Sequence, residues 1–185
     1  TQHMLLLEEF YRTSILLAGR CPIWWLVPPE FEHEYDDYVA HLMHKRLINE
    51  HDFLNFGSID NIPAEEFYGA TLWHIYKGID SPYKSILKLL LMECYAREHP
   101  RIDLLSQRFK KAVYLTAQPD IDKLDPYIMM MDKITEHLID EGSLSRLELA
   151  RQCMYLKVNE SLTQLKSGPS HEWRQNIMQE MVASW

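Results

Sequence analysis

The sequence lacks any long apolar run. Its longest, Pro22 to Pro29 and Leu87 to Met92 (the latter broken by Lys88), fall far short of the roughly 20 residues that a bilayer span needs. It is also poor in positive charge, with 19 Lys and Arg against 27 Asp and Glu, a formal charge of −8. That balance speaks against a general nucleic-acid binder, which needs a basic face, and against a polybasic membrane-surface protein. Cysteine is scarce: Cys21, Cys94 and Cys153 stand far apart, with no Cys-x-x-Cys. Three thiols in a reducing compartment fit better than a disulfide framework. No signal- or transit-peptide pattern is visible, and the expected location is cytoplasmic. No Walker loop, dinucleotide fingerprint, Gly-x-Ser-x-Gly or His-Glu-x-x-His occurs.

What is present is enough for a packed core. The chain has 185 residues, of which 46% are hydrophobic, and this size needs no disulfide or metal staple. Only six Gly and nine Pro interrupt it, in clusters such as Pro28-Pro29, Gly78 to Pro82 and Gly168-Pro169. Between them, apolar residues recur at helical spacing. Leu5, Leu6, Phe10, Thr13, Leu16 and Leu17 form one stripe, and Ile128, Met131, Ile134, His137 and Leu138 another. Leu147, Ala150, Met154, Leu156, Val158 and Leu162 predict a helix apolar nearly all round, hence central. Pro22 to Val27 is the one convincing strand, and a lone strand must find a partner. The expectation is a mainly α chain of six to eight helices. Residues 1–30 would be the remnant of a neighbouring sheet domain and residues 31–185 a helical domain.

The strongest chemical signal is Ile79-Asp80-Ser81-Pro82-Tyr83-Lys84-Ser85-Ile86-Leu87-Lys88. Ser81 suits an N-cap and Pro82 the first helical position, where its missing N–H costs nothing. Lys84 and Lys88 then lie one turn apart at a helix N-terminus, where the macrodipole disfavours cations and like charges repel. An anion held by free N–H groups, the Ser81 hydroxyl and two ammonium groups would account for the placement. Two solvated lysines at small cost are the alternative. Arg12, in Glu8-Glu9-Phe10-Tyr11-Arg12-Thr13, carries a planar fork suited to phosphate, or else an internal salt bridge.

Other patterns fail on spacing. Asp37, His41 and His44 share a helical face but lack a recognised ligand spacing, so no metal site is expected there. Gly57-Ser58 resembles a phosphate-cradling Gly-Ser, yet no paired carboxylates follow within Phe67 to Trp73. Asp120-Ile121-Asp122 alternates, but Pro119 and Lys123 flank it and no Gly-Ser lies suitably upstream.

Glu66-Phe67-Tyr68-Gly69-Ala70-Thr71-Leu72-Trp73-His74-Ile75-Tyr76-Lys77 resembles a diagnostic motif of the class I adenylate cyclases, the large cytoplasmic bacterial type. So do Ile79 to Lys84 with Leu87-Lys88, Thr1-Gln2-His3 with Phe10 to Thr13, and Trp25-x-Val27-Pro28. Tyr35 to Val39, Leu124 to Tyr127 and Met154 to Val158 complete the likeness in order along the chain. Phe67-Tyr68 inverts the expected Tyr-Phe, and Pro29 stands where members often have Cys.

The resemblance implies the helical, nucleotide-closing domain of a polymerase-β-like nucleotidyltransferase. Its Gly-Ser and Asp-x-Asp motifs are expected upstream, and a regulatory region downstream. The whole enzyme would convert ATP to 3′,5′-cyclic AMP and pyrophosphate with Mg²⁺ held by the upstream carboxylates. No catalytic or metal-binding residue is expected within this segment, which would be inactive alone. Arg12, Ser81, Lys84 and Lys88 are the expected phosphate contacts. The alternative is a helical regulatory or protein-interaction module without a nucleotide site.

Overall fold

The computed structural model describes residues 5–7, 9–59, 61–115 and 124–162. Thr1-Gln2-His3, Asp120-Ile121-Asp122 and Gly168-Pro169 lie outside them. Six α-helices fall within the described residues: α1 (Tyr35–His44), α2 (Ala64–Lys77), α3 (Pro82–Glu98), α4 (Leu105–Leu115), α5 (Pro126–Asp140) and α6 (Leu144–Leu162). Two short strands, β1 (Cys21–Pro22) and β2 (Phe53–Leu54), pair in parallel. The chain is mainly helical, as expected.

Local chemistry sets several boundaries. The Asp125 side chain accepts from the Tyr127 N–H at 2.8 Å, and Pro126 opens α5. Gly142, at φ 67°, ends the α5 segment, and the Ser143 N–H returns to the Leu138 carbonyl at 2.9 Å. Within α5, Ile134 and Leu138 are buried as the stripe predicted.

Three expectations change. The strand expected over Pro22 to Val27 shrinks to β1, followed by a 3-10 turn over Ile23–Leu26. Strand alternation would send Ile23 and Trp24 to opposite faces. The tight turn instead buries both fully, together with Val27. The helix expected from Leu5 to Leu17 reduces to a 3-10 segment, Glu9–Thr13, leaving Ile15 and Leu16 exposed. Here the charged residues Glu9 and Arg12 go inward. Lastly, α6 is one-sided over its described side chains: Leu147, Ala150 and Met154 are buried, whereas Leu156 is exposed.

The chain divides into two compact units, one of residues 1–70 and 98–119, the other of residues 71–97 and 120–185. The boundary expected near residue 30 falls inside the first unit, because the early residues share buried contacts with α4. The Glu9 carboxylate accepts from the Ser106 N–H at 2.8 Å, occupying a donor of the first turn of α4. Lys110 on α4 donates to the Trp24 carbonyl at 2.7 Å and to the Glu32 carboxylate. In the second unit α5 and α6 pack together.

Candidate functional site

The site is the polar start of α3. Pro82 opens the helix, and the Ser85 N–H donates to the Ser81 carbonyl at 3.1 Å, placing Ser81 at the cap position. Pro82 has no N–H, and those of Tyr83 and Lys84 have no acceptor among the described residues. Two backbone donors are therefore left at the positive end of the helix dipole. The first turn carries no acid. Ser81, Lys84, Ser85 and Lys88 follow at i, i+3, i+4 and i+7, one face of the helix.

Lys84 and Lys88 are exposed, and neither has a carboxylate partner among the described residues. Partial desolvation, and then the nearby Lys84 ammonium, pull the Lys88 pKa below its ordinary value. Gly78, just past the end of α2, comes close to this face. A Cβ at Gly78 would make ordinary contact with Ser85 Cβ at 3.6 Å but would clash with the Ile75 carbonyl oxygen at 2.9 Å, so it is the local turn that calls for glycine. One turn earlier stands His74, only 6% exposed. Burial, and then the Lys88 charge, lower its pKa to about 4, so the imidazole is neutral at pH 7. Sequence reading passed over His74, and its signal was modest: a polar residue one turn before Gly78.

Arg12 is placed differently. It lies in the first unit, fully buried, and donates to the Gly57 carbonyl at 2.6 Å and the Phe56 carbonyl at 2.9 Å. Its guanidinium also sits 5.6 Å from the Phe56 ring centroid. Asn55 completes the same loop, accepting from the Tyr35 hydroxyl and the Gly57 N–H, each at 2.9 Å. Burial drives the Tyr35 hydroxyl pKa up, against the lowering effect of Arg12. These bonds tie Arg12 to the 55–57 loop; sequence reading had offered it as a phosphate contact or a salt-bridge partner.

No metal ligand set emerges at Asp37, His41 and His44, which are all exposed on α1. Among the described residues, Glu93, His137 and Glu141 do approach closely enough to share a cation. Arginines occupy them instead: Arg146 bonds Glu93 and Glu141, and Arg97 bonds Glu141. The Arg146 hydrogen bond holds the Glu93 carboxyl below the usual carboxylate range. Elsewhere, an open cleft of about 500 Å³ in the first unit is lined by residues including Ile59, Ile62, Arg101 and Lys111; no sequence expectation fell there.

Comparison with known proteins decides the family. The family model described as adenylate cyclase, class-I, second domain matches residues 62–185, two-thirds of the chain and all of α2 and α3. The chain belongs to the class-I adenylate cyclases. The adenylate cyclase NT domain model matches residues 1–25, within the first compact unit. The adenylate cyclase of Yersinia intermedia is 42% identical over all of this chain, which covers 22% of that relative. That of Escherichia coli K12 is 41% identical over the whole chain, again 22% of its length, and that of Proteus mirabilis 39%, with 21% covered. The chain thus spans about a fifth of these relatives. No solved structure matches, so no structural neighbour carries the expected nucleotidyltransferase likeness. Among the described residues, no helix is long and apolar enough to cross a membrane.

Proposed function

We propose that the full-length protein converts ATP to 3′,5′-cyclic AMP and pyrophosphate, and that this segment grips the departing phosphates at the start of α3. The observation that carries the reading is the pair Lys84 and Lys88, without carboxylate partners, beside two open backbone N–H groups. In the reaction the ribose 3′ oxygen attacks the α-phosphorus and the bond to the β-phosphate oxygen breaks. Negative charge then grows on the pyrophosphate. Cations and N–H dipoles already aimed at that charge stabilise it without reorganising. Ser81 supplies a hydroxyl donor at the cap, and Arg12 acts indirectly through the loop it fixes.

Mg²⁺ would neutralise phosphate charge in such a reaction. The one cluster of candidate ligands among the described residues does not fit it: Glu93 and Glu141 are committed to arginines, and His137 to those same carboxylates. We assign the metal to carboxylates of an upstream polymerase-β-like catalytic domain, with a regulatory domain downstream. This segment alone is then inactive, and its setting is cytoplasmic. The test is cyclic AMP formation from ATP and Mg²⁺. The full-length protein should turn over, its Lys84→Ala and Lys88→Ala variants should lose activity, and the 185-residue chain should make none. Robust turnover by this chain, or unchanged activity in both variants, would contradict the reading.

A helical protein-interaction module is the second reading. Leu72, Ile75, Tyr76 and Ile79, at i, i+3, i+4 and i+7, make an apolar stripe that is 49–80% exposed. On that reading pyrophosphate would not raise the melting temperature of the chain, whereas a bound anion would.

A further inference from the structure

The early part of the first unit carries apolar residues in two settings, and the chain covers only one of them. Ile23, Trp24 and Val27 are fully buried, whereas Ile15 and Leu16 are 81 and 66% exposed. Tyr11 and Leu26 are exposed as well. Contacts link these exposed residues into one surface. The 3-10 segments Glu9–Thr13 and Ile23–Leu26 touch, and Trp25 Nε1 donates to the carbonyl of Ser14, the neighbour of Ile15, at 3.1 Å. The Tyr114 hydroxyl donates in turn to the Trp25 carbonyl, which adds the exposed end of α4. Single exposed apolar residues are ordinary, but a contiguous group marks an interaction surface. The adjoining sheet is equally unfinished. β1 and β2 pair over two residues, and each has one neighbour among the described residues. Parallel strands are ordinarily buried within a larger sheet.

We propose that this face, centred on Ile15 and Leu16, packs against an apolar surface of the rest of the NT domain in the full-length polypeptide. The NT domain model matches residues 1–25, which include Tyr11, Ile15 and Leu16, and 25 residues are too few for a domain with its own core. The chain spans about a fifth of its relatives, so ample polypeptide lies outside it to form the body of that domain. The shared chain also holds that body at high effective concentration beside this face, ahead of any separate protein. The assignment rests on the upstream domain of the proposed function and is independent of the phosphate grip at α3.

Hydroxyl-radical footprinting at matched dose, read by mass spectrometry, compares the 185-residue chain with the full-length protein. Ile15 and Leu16 should be labelled several-fold less in the full-length protein. Equal labelling in the two would overturn the proposal, whether or not the full-length protein makes cyclic AMP. Protection without cyclic AMP formation would support the interface and contradict the reaction. Protection that appears only at concentrations where the full-length protein sediments as a dimer would overturn the proposal in favour of a second copy. As a second measurement, Ile15→Asp should leave the melting temperature of the 185-residue chain nearly unchanged, because the side chain is exposed there, and lower that of the full-length protein. Equal shifts in the two proteins would also overturn it. Should the full-length variant fail to fold, the wild-type labelling still decides.

Discussion

Two pairs of cations, Arg12 and Lys110 in the first unit and Lys84 and Lys88 in the second, are spent in opposite ways. In the first, Arg12 and Lys110 are 0 and 1% exposed, and both are turned to construction. Arg12 holds the Phe56 and Gly57 carbonyls. Lys110 holds the Trp24 carbonyl and Glu32, with its ammonium 4.3 Å from the Trp24 ring centroid. In the second, Lys84 and Lys88 are exposed and lack carboxylate partners among the described residues. A buried cation must be satisfied for the chain to fold. An exposed one, set against a helix dipole and a like charge, stabilises nothing in its own fold. The difference marks the buried pair as architectural and leaves the exposed pair without a role in the fold.

Substitutions should break that contrast in order of size. Lys110→Ala leaves Glu32 buried without its ammonium and should cost about 3–5 kcal/mol in urea unfolding. A loss below about 1 kcal/mol would show the pair to be dispensable.

His74 should next make stability depend on pH. Its folded pKa, about 4, lies below the ordinary 6.5. The unfolded state therefore binds more protons between those values, and stability falls as pH drops through that window. The loss should reach roughly 3 kcal/mol at most. His74→Phe should flatten that part of the profile, and a retained slope would assign it elsewhere.

Arg12→Ala removes two charge-assisted bonds to the 55–57 loop and should cost about 2–3 kcal/mol, read by denaturant midpoint. Pyrophosphate affinity should stay unchanged, whereas a stable Arg12→Ala protein with weakened affinity would restore its role as a phosphate ligand. Smallest in stability are Lys84→Ala and Lys88→Ala. Relieving an unfavourable dipole and like-charge contact should change unfolding by a few tenths of a kcal/mol, toward stability. Their effect belongs instead to ligand affinity.

Legibility in the sequence followed the range of the interactions involved. Ser81-Pro82 marks a helix start because capping acts within three residues. The positions of Ser81, Lys84 and Lys88 followed directly from that. Arg12 was legible as an important residue, but its partners lie 44 and 45 residues away, so its role was not. Glu9 likewise meets Ser106 across 97 residues, which is why an apolar-looking helix over Leu5 to Leu17 gave way to a 3-10 segment with charge inside. Pro22 to Val27 has the composition of a strand, but adjacent Ile23 and Trp24 both require burial. His74 stayed hidden because its environment is made by Lys88, 14 residues on and across the Gly78 turn.

The central claim is that the start of α3 holds a phosphate group. The most direct measurement compares the melting temperature of the 185-residue chain with and without pyrophosphate, for wild type and the Lys84→Ala/Lys88→Ala double variant. The account predicts a concentration-dependent rise for wild type by mass action and none for the double variant, with similar melting temperatures in the absence of pyrophosphate. Equal rises in both proteins, or no rise in either, would contradict it.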